Sequence, residues 1–338
     1  MIEPVFAPLG WLERFSQKER IVSLELLLKA LGSQSLSEKR WAETVVIFQA
    51  ACRALENPLW AACYLLAAAR LAAQRGAWEQ AGELAAAALE RVSTPDECRA
   101  LILWVVAAVA WQRRRVAESV QHWRQARVLL PAAEQGVRRS NNLERAEQLK
   151  DCQQALDRSL VEFAGSVESG YLLLDLDNHS RRLSQSSSEL TALMARVARS
   201  DQRHRTYAIM ETLEKSCIGT EDYPRAMVEC AWTAFLLDNL KETIRYLGIA
   251  RVNNRADRPN LAAVLWMMAA AYWMTEGGGI HANQSWQSCD ETITLHIEDL
   301  SRVNSPRNNE QRETWSYLQV ILRLVMQHHL SAYDRRMA

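Results

Sequence analysis

Glycine and proline are scarce in this chain: 338 residues hold only 12 Gly and 8 Pro. Sheet-rich folds need turn residues about every 8–12 positions, so the scarcity argues against a sandwich or barrel and for helices with short connections. Charge of one sign is also missing, because 40 Lys and Arg balance 40 Asp and Glu. Duplex-binding proteins usually carry a basic excess, so nucleic acid is not expected as the main partner, although a local basic patch stays possible. Long hydrophobic runs are absent. NPLWAACYLLAAA (57–69), ALILWVVAAVAWQ (100–112) and NLAAVLWMMAAAYWMT (260–275) are the longest uncharged stretches. All fall short of the roughly 18–20 apolar residues that a membrane span requires. Such stretches are expected to form helices buried between neighbours in a soluble protein.

The seven cysteines include no CxxC pair and are odd in number. That pattern suits reduced thiols better than a secreted disulfide framework or a zinc knuckle. The opening MIEPVFAPLGWLERF has no basic region ahead of an apolar stretch, so no signal peptide is expected and the location expected is cytoplasmic. No Walker A loop, GxSxG elbow or HExxH pair occurs, and His281 and His328-His329 lack a neighbouring nucleophile or carboxylate set. Asp175, Asp177 and His179 in DLDNHS have metal-compatible chemistry, but a metal would need further ligands from elsewhere. The expectation is a non-catalytic protein without cofactor or metal.

What the chain has in abundance is alanine at helical spacing. Residues 76–90 read GAWEQAGELAAAALE, with the smallest side chains where a helix normally carries leucine. An apolar helix over 58–74, a turn at Gly76 and a second helix over 77–91 are predicted. The next window repeats the plan: a helix over 98–112, a turn at Arg113–Arg115 and a helix over 116–129 ended by Pro131. Thr94-Pro95-Asp96-Glu97 reads as a capping box between the pairs, with proline at the first helical position.

These paired windows resemble the tetratricopeptide repeat family, whose units are helix–turn–helix pairs of 34 residues. The family's large and small contact positions fall here on Leu65, Ala68, Ala69, Ala81, Ala85 and Ala88, with Gly76 and Trp78 at the turn. In the next window they fall on Leu103, Val106, Ala107, Ser119, Trp123 and Ala126. An earlier window gives Leu28, Leu31, Gly32, Thr44, Phe48 and Ala51, and a later one Met227, Cys230, Ala231, Thr243, Leu247 and Ala250. A last window gives Leu265, Met268, Ala269 and Tyr272, its second helix interrupted by Gly277–Gly279. Windows step by 37 or 38 residues (Leu28, Leu65, Leu103; Met227, Leu265), longer than the family period. The resemblance implies an all-α, right-handed superhelical array of antiparallel helix pairs. Small residues let the helix axes approach, and large ones there would overpack the joint.

Three regions are expected: repeats over 1–135, a divergent helical segment over 136–220, and repeats with a terminal helix over 221–338. In the middle region, Leu149, Cys152, Leu156, Leu160, Phe163 and Val167 step by three and four, which predicts one long amphipathic helix from Asn142 to about Val167. The serine-rich stretch near 177–188 reads as an exposed loop, followed by helices over 188–199 and 203–217 that Gly219 ends. The region is either degenerate repeats or a linker between two arrays.

In the tetratricopeptide family the first helix of each pair lines a concave face. The resemblance places Trp104, Trp111, Trp232, Trp266 and Trp273 on that face. The implied function is an adaptor, scaffold or regulatory subunit that captures a protein or peptide, with indoles as anchors. The alternative is that these indoles are core residues, or that the chain's own central segment fills the groove. The family's carboxylate clamp is not matched, since the corresponding positions include Leu66, Arg70, Trp104 and Ala108. Arg113, Arg114, Arg115, Arg124 and Arg127, interleaved with Trp111, His122 and Trp123, form a basic patch. It either grips nucleic acid or an acidic peptide, or simply complements a helix C-terminus at a solvated turn. Gly277–Gly279 and the 177–188 stretch would be the hinges of a second possible function, a ligand-responsive regulator.

Overall fold

Every regular element in the computed structural model is a helix, among the described residues 2–15, 57–176, 183–200, 202–255, 257–276, 279–303 and 305–337. The early window at Leu28–Ala51 lies outside these residues. The chain divides into two units, Met1–Ser159 and Leu160–Ala338.

The first unit contains α1 (Glu3–Phe6), α2 (Pro8–Phe15), α3 (Pro58–Gln74), α4 (Trp78–Arg91), α5 (Glu97–Gln112) and α6 (Val116–Arg139). It also holds most of α7 (Leu143–Ala164), inside which the division falls. Helix α3 starts where it does because Asn57 Oδ1 accepts from the N–H groups of Leu59 (3.0 Å) and Trp60 (3.3 Å), with Pro58 at the first helical position. It stops because Gly76 enters the left-handed region at φ 75°. The Ala77 N–H then donates to the Ala72 carbonyl at 3.0 Å and the Gly76 N–H to Ala73 at 2.9 Å, satisfying the last carbonyls of the helix.

This turn is used more than once among the described residues. It recurs with positive φ at Arg114 (60°), Asn141 (59°) and, in the second unit, Asp238 (58°). Each time the next residue's N–H reaches back: Arg115 to Ala110, Asn142 to Val137, Asn239 to Ala234. The following helix begins two residues after the left-handed one, at Trp78, Val116, Leu143 and Leu240.

Helices α3 and α4 pack as an antiparallel pair, as do α5 and α6, and α4 packs on α5. The expected contact positions are buried: Ala69, Ala81, Ala85 and Ala88, then Leu103, Ala107, Ser119, Trp123 and Ala126. Ser119 Oγ donates to the Ala107 carbonyl at 2.7 Å, a bond that only a short side chain at a close helix approach can make. Helix α7 is tied into this unit by Arg145, which pairs with Glu97 at 2.7 Å and lies 3.9 Å over the Phe15 ring.

In the second unit, α8 (Val167–Leu173) precedes the pairs α9 (Gln185–Ala198) with α10 (Arg203–Cys217) and α11 (Tyr223–Leu236) with α12 (Leu240–Asn253). The pair α13 (Arg258–Glu276) with α14 (Ile280–Arg302) follows, and α15 (Pro306–Met337) packs on α14. Both α9 and α10 contact α11, α12 contacts α13, and α8 lies against α13. Met227, Cys230, Ala231, Thr243, Leu247, Ala250, Leu265, Met268 and Ala269 are buried, and Tyr272 is half-buried.

Several expectations need correction. Pro131 does not end α6, which runs on to Arg139. Proline removes one donor, but Ala132, Ala133, Glu134 and Gln135 are strong helix formers, and Glu134 pairs with Arg138 at 2.7 Å one turn on. The cap before α5 is Asp96, not Thr94: its carboxylate accepts from the Arg99 N–H at 3.0 Å, Thr94 Oγ1 donates to it at 2.8 Å, and Pro95 stays outside the helix. The long central helix stops at Ala164. Ser166 caps a separate helix by accepting from the Ser169 N–H, at 3.2 Å. The described glycine of the triplet, Gly279, is the N-cap of α14, and the second helix of that window runs unbroken from Ile280 to Arg302.

Candidate functional site

Each of the five indoles assigned to a concave face is buried or half-buried within its own unit. In the first unit, Trp104 is 1% exposed. Its Nε1–H donates to Ser159 Oγ at 3.2 Å and its ring lies 6.3 Å from Trp123. Trp111 is buried as well. Both are core residues, because α5 is apolar on every side and is covered on every side.

In the second unit, Trp266 is fully buried, and its Nε1–H donates to the Ala164 carbonyl at 2.6 Å. Trp232 is half-buried, stacked on Tyr171 with ring centroids 4.5 Å apart and planes 8° apart. Trp273, also half-buried, lies 3.9 Å from the His329 ring. The segment 164–173 is what joins Trp232 to Trp266. Gly170 sits so close to α13 that a Cβ there would lie 2.6 Å from Met267 Cγ and 2.7 Å from Met267 N. Only a glycine permits that approach.

The face of α11 and α13 that the repeat pattern assigns to a ligand is therefore covered by the chain's own helix α8. The chemistry of the contact is specific. Tyr171 donates its hydroxyl to Glu229 Oε2 at 2.8 Å, and Arg225 Nε donates to Glu229 Oε1 at 2.9 Å. Glu229 is buried, so its charge is balanced by the Arg225 guanidinium and the phenol together. Burial, and then the Glu229 carboxylate, push the Tyr171 phenol well above its ordinary value, so it stays a hydrogen-bond donor. The sequence signal for Tyr171 was present as a Gly-Tyr step ahead of three leucines, but an apolar start to a polar stretch reads as a loop entry.

The basic patch is largely neutralised in place. Arg113 and Arg115 occupy the turn as expected, and both pair with Glu79, Arg113 Nε at 3.0 Å and Arg115 Nη2 at 3.3 Å. The Arg113 hydrogen bond pulls the Glu79 carboxyl below its ordinary value. Arg127 pairs with Asp157 at 2.8 Å, while Arg114 and Arg124 are exposed.

The described end of the serine stretch enters a helix rather than a loop. Residues 177–182, with Asp177 and His179, lie outside the described residues, but α9 starts at Gln185. The Asp222 carboxylate accepts from the Ser184 N–H at 3.1 Å, the Ser184 hydroxyl at 2.5 Å and the Ser187 hydroxyl at 2.7 Å. These bonds, the Ser184 hydroxyl first, hold Asp222 below the usual carboxylate range. A polar cleft of about 290 Å³ opens between α12, α13 and α14, lined in part by Arg251, Tyr272, His281 and Glu291. The six described cysteines are buried thiols, and burial pushes those of Cys98 and Cys152 up to about 12, which makes them poor nucleophiles.

No family model matches the chain, and no curated protein matches it.

Proposed function

We propose that this chain is a non-catalytic adaptor or regulatory subunit, tetratricopeptide-like in plan, that engages a protein partner through a short helical segment. The recurrence of one turn and of buried small residues supports the repeat reading. The observation that carries the functional reading is α8 itself: a seven-residue helix seated by ring stacking, a buried hydrogen-bonded charge and a glycine contact on α11 and α13. A surface that holds such a segment is chemically equipped for a peptide helix. No helix among the described residues is long and apolar enough to cross a membrane, so a membrane is not part of the proposal. A nucleic-acid role is less well supported, since Arg113, Arg115 and Arg127 already have carboxylate partners.

The test is site-specific photo-crosslinking from Leu236 and Met274, exposed residues near the ends of α11 and α13. In cells that make the chain, discrete protein adducts that survive nuclease are expected. Adducts absent from both sites, or lost with nuclease, refute the reading.

A further inference from the structure

Three properties of α8 bear on its role. It has only seven residues, too few to be stable alone in water, so its helical form depends on what it lies against. Val167, Ser169, Gly170, Tyr171, Leu172 and Leu173 are all buried, so it behaves as cargo of the surrounding helices. Its polar contacts with α11 and α13 are those a separate ligand would make: a phenol to a buried carboxylate and, just ahead of the helix, a backbone carbonyl to an indole N–H.

We infer that the α11–α13 face is a peptide-helix site held closed by α8, and that its external occupant is a short amphipathic helix of the same chemistry. That occupant carries a small residue to pack on Met267, followed directly by a tyrosine that stacks on Trp232 and donates to Glu229, with leucines after it. This inference rests on the adaptor reading and deepens it by stating the partner's pattern.

The energetics of exchange are permissive. An outside helix of like sequence that replaces α8 restores nearly the same stacking, burial and hydrogen bonds. What favours α8 is its tether, whose effective concentration is on the order of millimolar for a short connection. An intact chain is therefore mostly closed, and anything that weakens α8 opens the face. An external helix also has an advantage available to it. Arg225 Nη1 is buried with no acceptor, so a carboxylate on the incoming helix gains a bond that α8 does not make.

The experiment uses the full chain and a fluorescent peptide of residues 163–176 as the probe, read by anisotropy. In Gly170→Leu the added side chain collides with Met267 and drives α8 off in cis. That variant is expected to bind the peptide at least tenfold more tightly than the parent chain. A peptide carrying Tyr171→Ala should lose at least tenfold on the same variant. Equal binding to both chains, with Gly170→Leu retaining helical circular dichroism and a cooperative melt, overturns the proposal. Should Gly170→Leu fail to fold, hydrogen exchange of the parent chain decides. Amides of 167–173 opening ahead of those of α11 and α13 support a detachable helix, and exchange only through global unfolding overturns it. Nuclease-resistant crosslinks alongside failed peptide binding would sink this inference and leave the adaptor reading standing.

Discussion

Tyr171 lies flat on Trp232, and its hydroxyl reaches past that ring to the buried carboxylate of Glu229 at 2.8 Å. The two rings are 61 positions apart in the chain, so the stack fastens α8 to α11. Tyr171→Phe keeps the stack and removes the hydroxyl, leaving Glu229 with Arg225 alone. A loss of about 1–3 kcal/mol is expected. Tyr171→Ala removes the ring as well and should cost about 3–5 kcal/mol. Urea unfolding of both variants checks the order, and a neutral Phe variant would show that the hydroxyl is not anchoring α8.

Alanine at the helix contacts gives a sharper structural test. Ala88 is fully buried, whereas Ala86, two residues earlier on the same helix, is exposed. Ala88→Leu should overpack the joint at a cost of about 1–3 kcal/mol, with Ala86→Leu within about 0.5 kcal/mol of the parent. Thermal melts of the pair measure the difference, and equal stabilities would contradict the close-packing account.

Arg114 holds φ 60° without the freedom that glycine gives at Gly76. A side chain in that region costs roughly 1–2 kcal/mol. Arg114 is exposed. Arg114→Gly is expected to raise stability by about 0.5–1 kcal/mol, the gain being reduced by glycine's greater freedom in the unfolded chain. The midpoint of denaturant unfolding should move up with an unchanged slope. A downward shift would mean that the Arg114 side chain matters to the fold.

His329 introduces a pH dependence. It is 8% exposed, and neither ring nitrogen has a hydrogen-bond partner. Burial, with His328 beside it, lowers its pKa from 6.5 to about 4. The native state thus binds fewer protons than the unfolded state between these values, so stability falls as pH drops from about 6.5 towards 4. The loss should be on the order of 1–3 kcal/mol. In His329→Phe that part of the slope should flatten, as read from unfolding free energies at pH 7, 6, 5 and 4.5. An unchanged slope would assign the acid sensitivity to other groups.

Much of the fold was legible from residue spacing. Helix pairs at 58–91 and 98–129, the turn at Gly76 and the burial of Ala69, Ala81 and Ala88 all follow from small apolar residues at helical periods. Local rules failed where a distant partner decided the outcome. Ser184 and Ser187 look like loop residues until Asp222, more than thirty positions away, gathers their hydroxyls. Pro131 is an ordinary terminator by propensity, yet strong helix formers and an ion pair carry α6 through it. The candidate site was half legible. The repeat register marked Trp232 and Trp266 correctly as α11 and α13 residues, but periodicity carries no information on what lies over a face. Seven residues of α8 are too few to declare a helix by period.

The Arg113 side chain, only 8% exposed, leaves the α5–α6 turn and lies across Gly82 of the preceding pair while binding Glu79 there. Each half of that contact belongs to a different hairpin, so neighbouring hairpins are keyed to one another like adjacent pieces of a puzzle. Inserting a second copy of α5–α6 would set the copied guanidinium over α6, which has Val120 where α4 has Gly82. The order of these modules is thereby written into the protein, and shuffling them should yield chains that no longer stack.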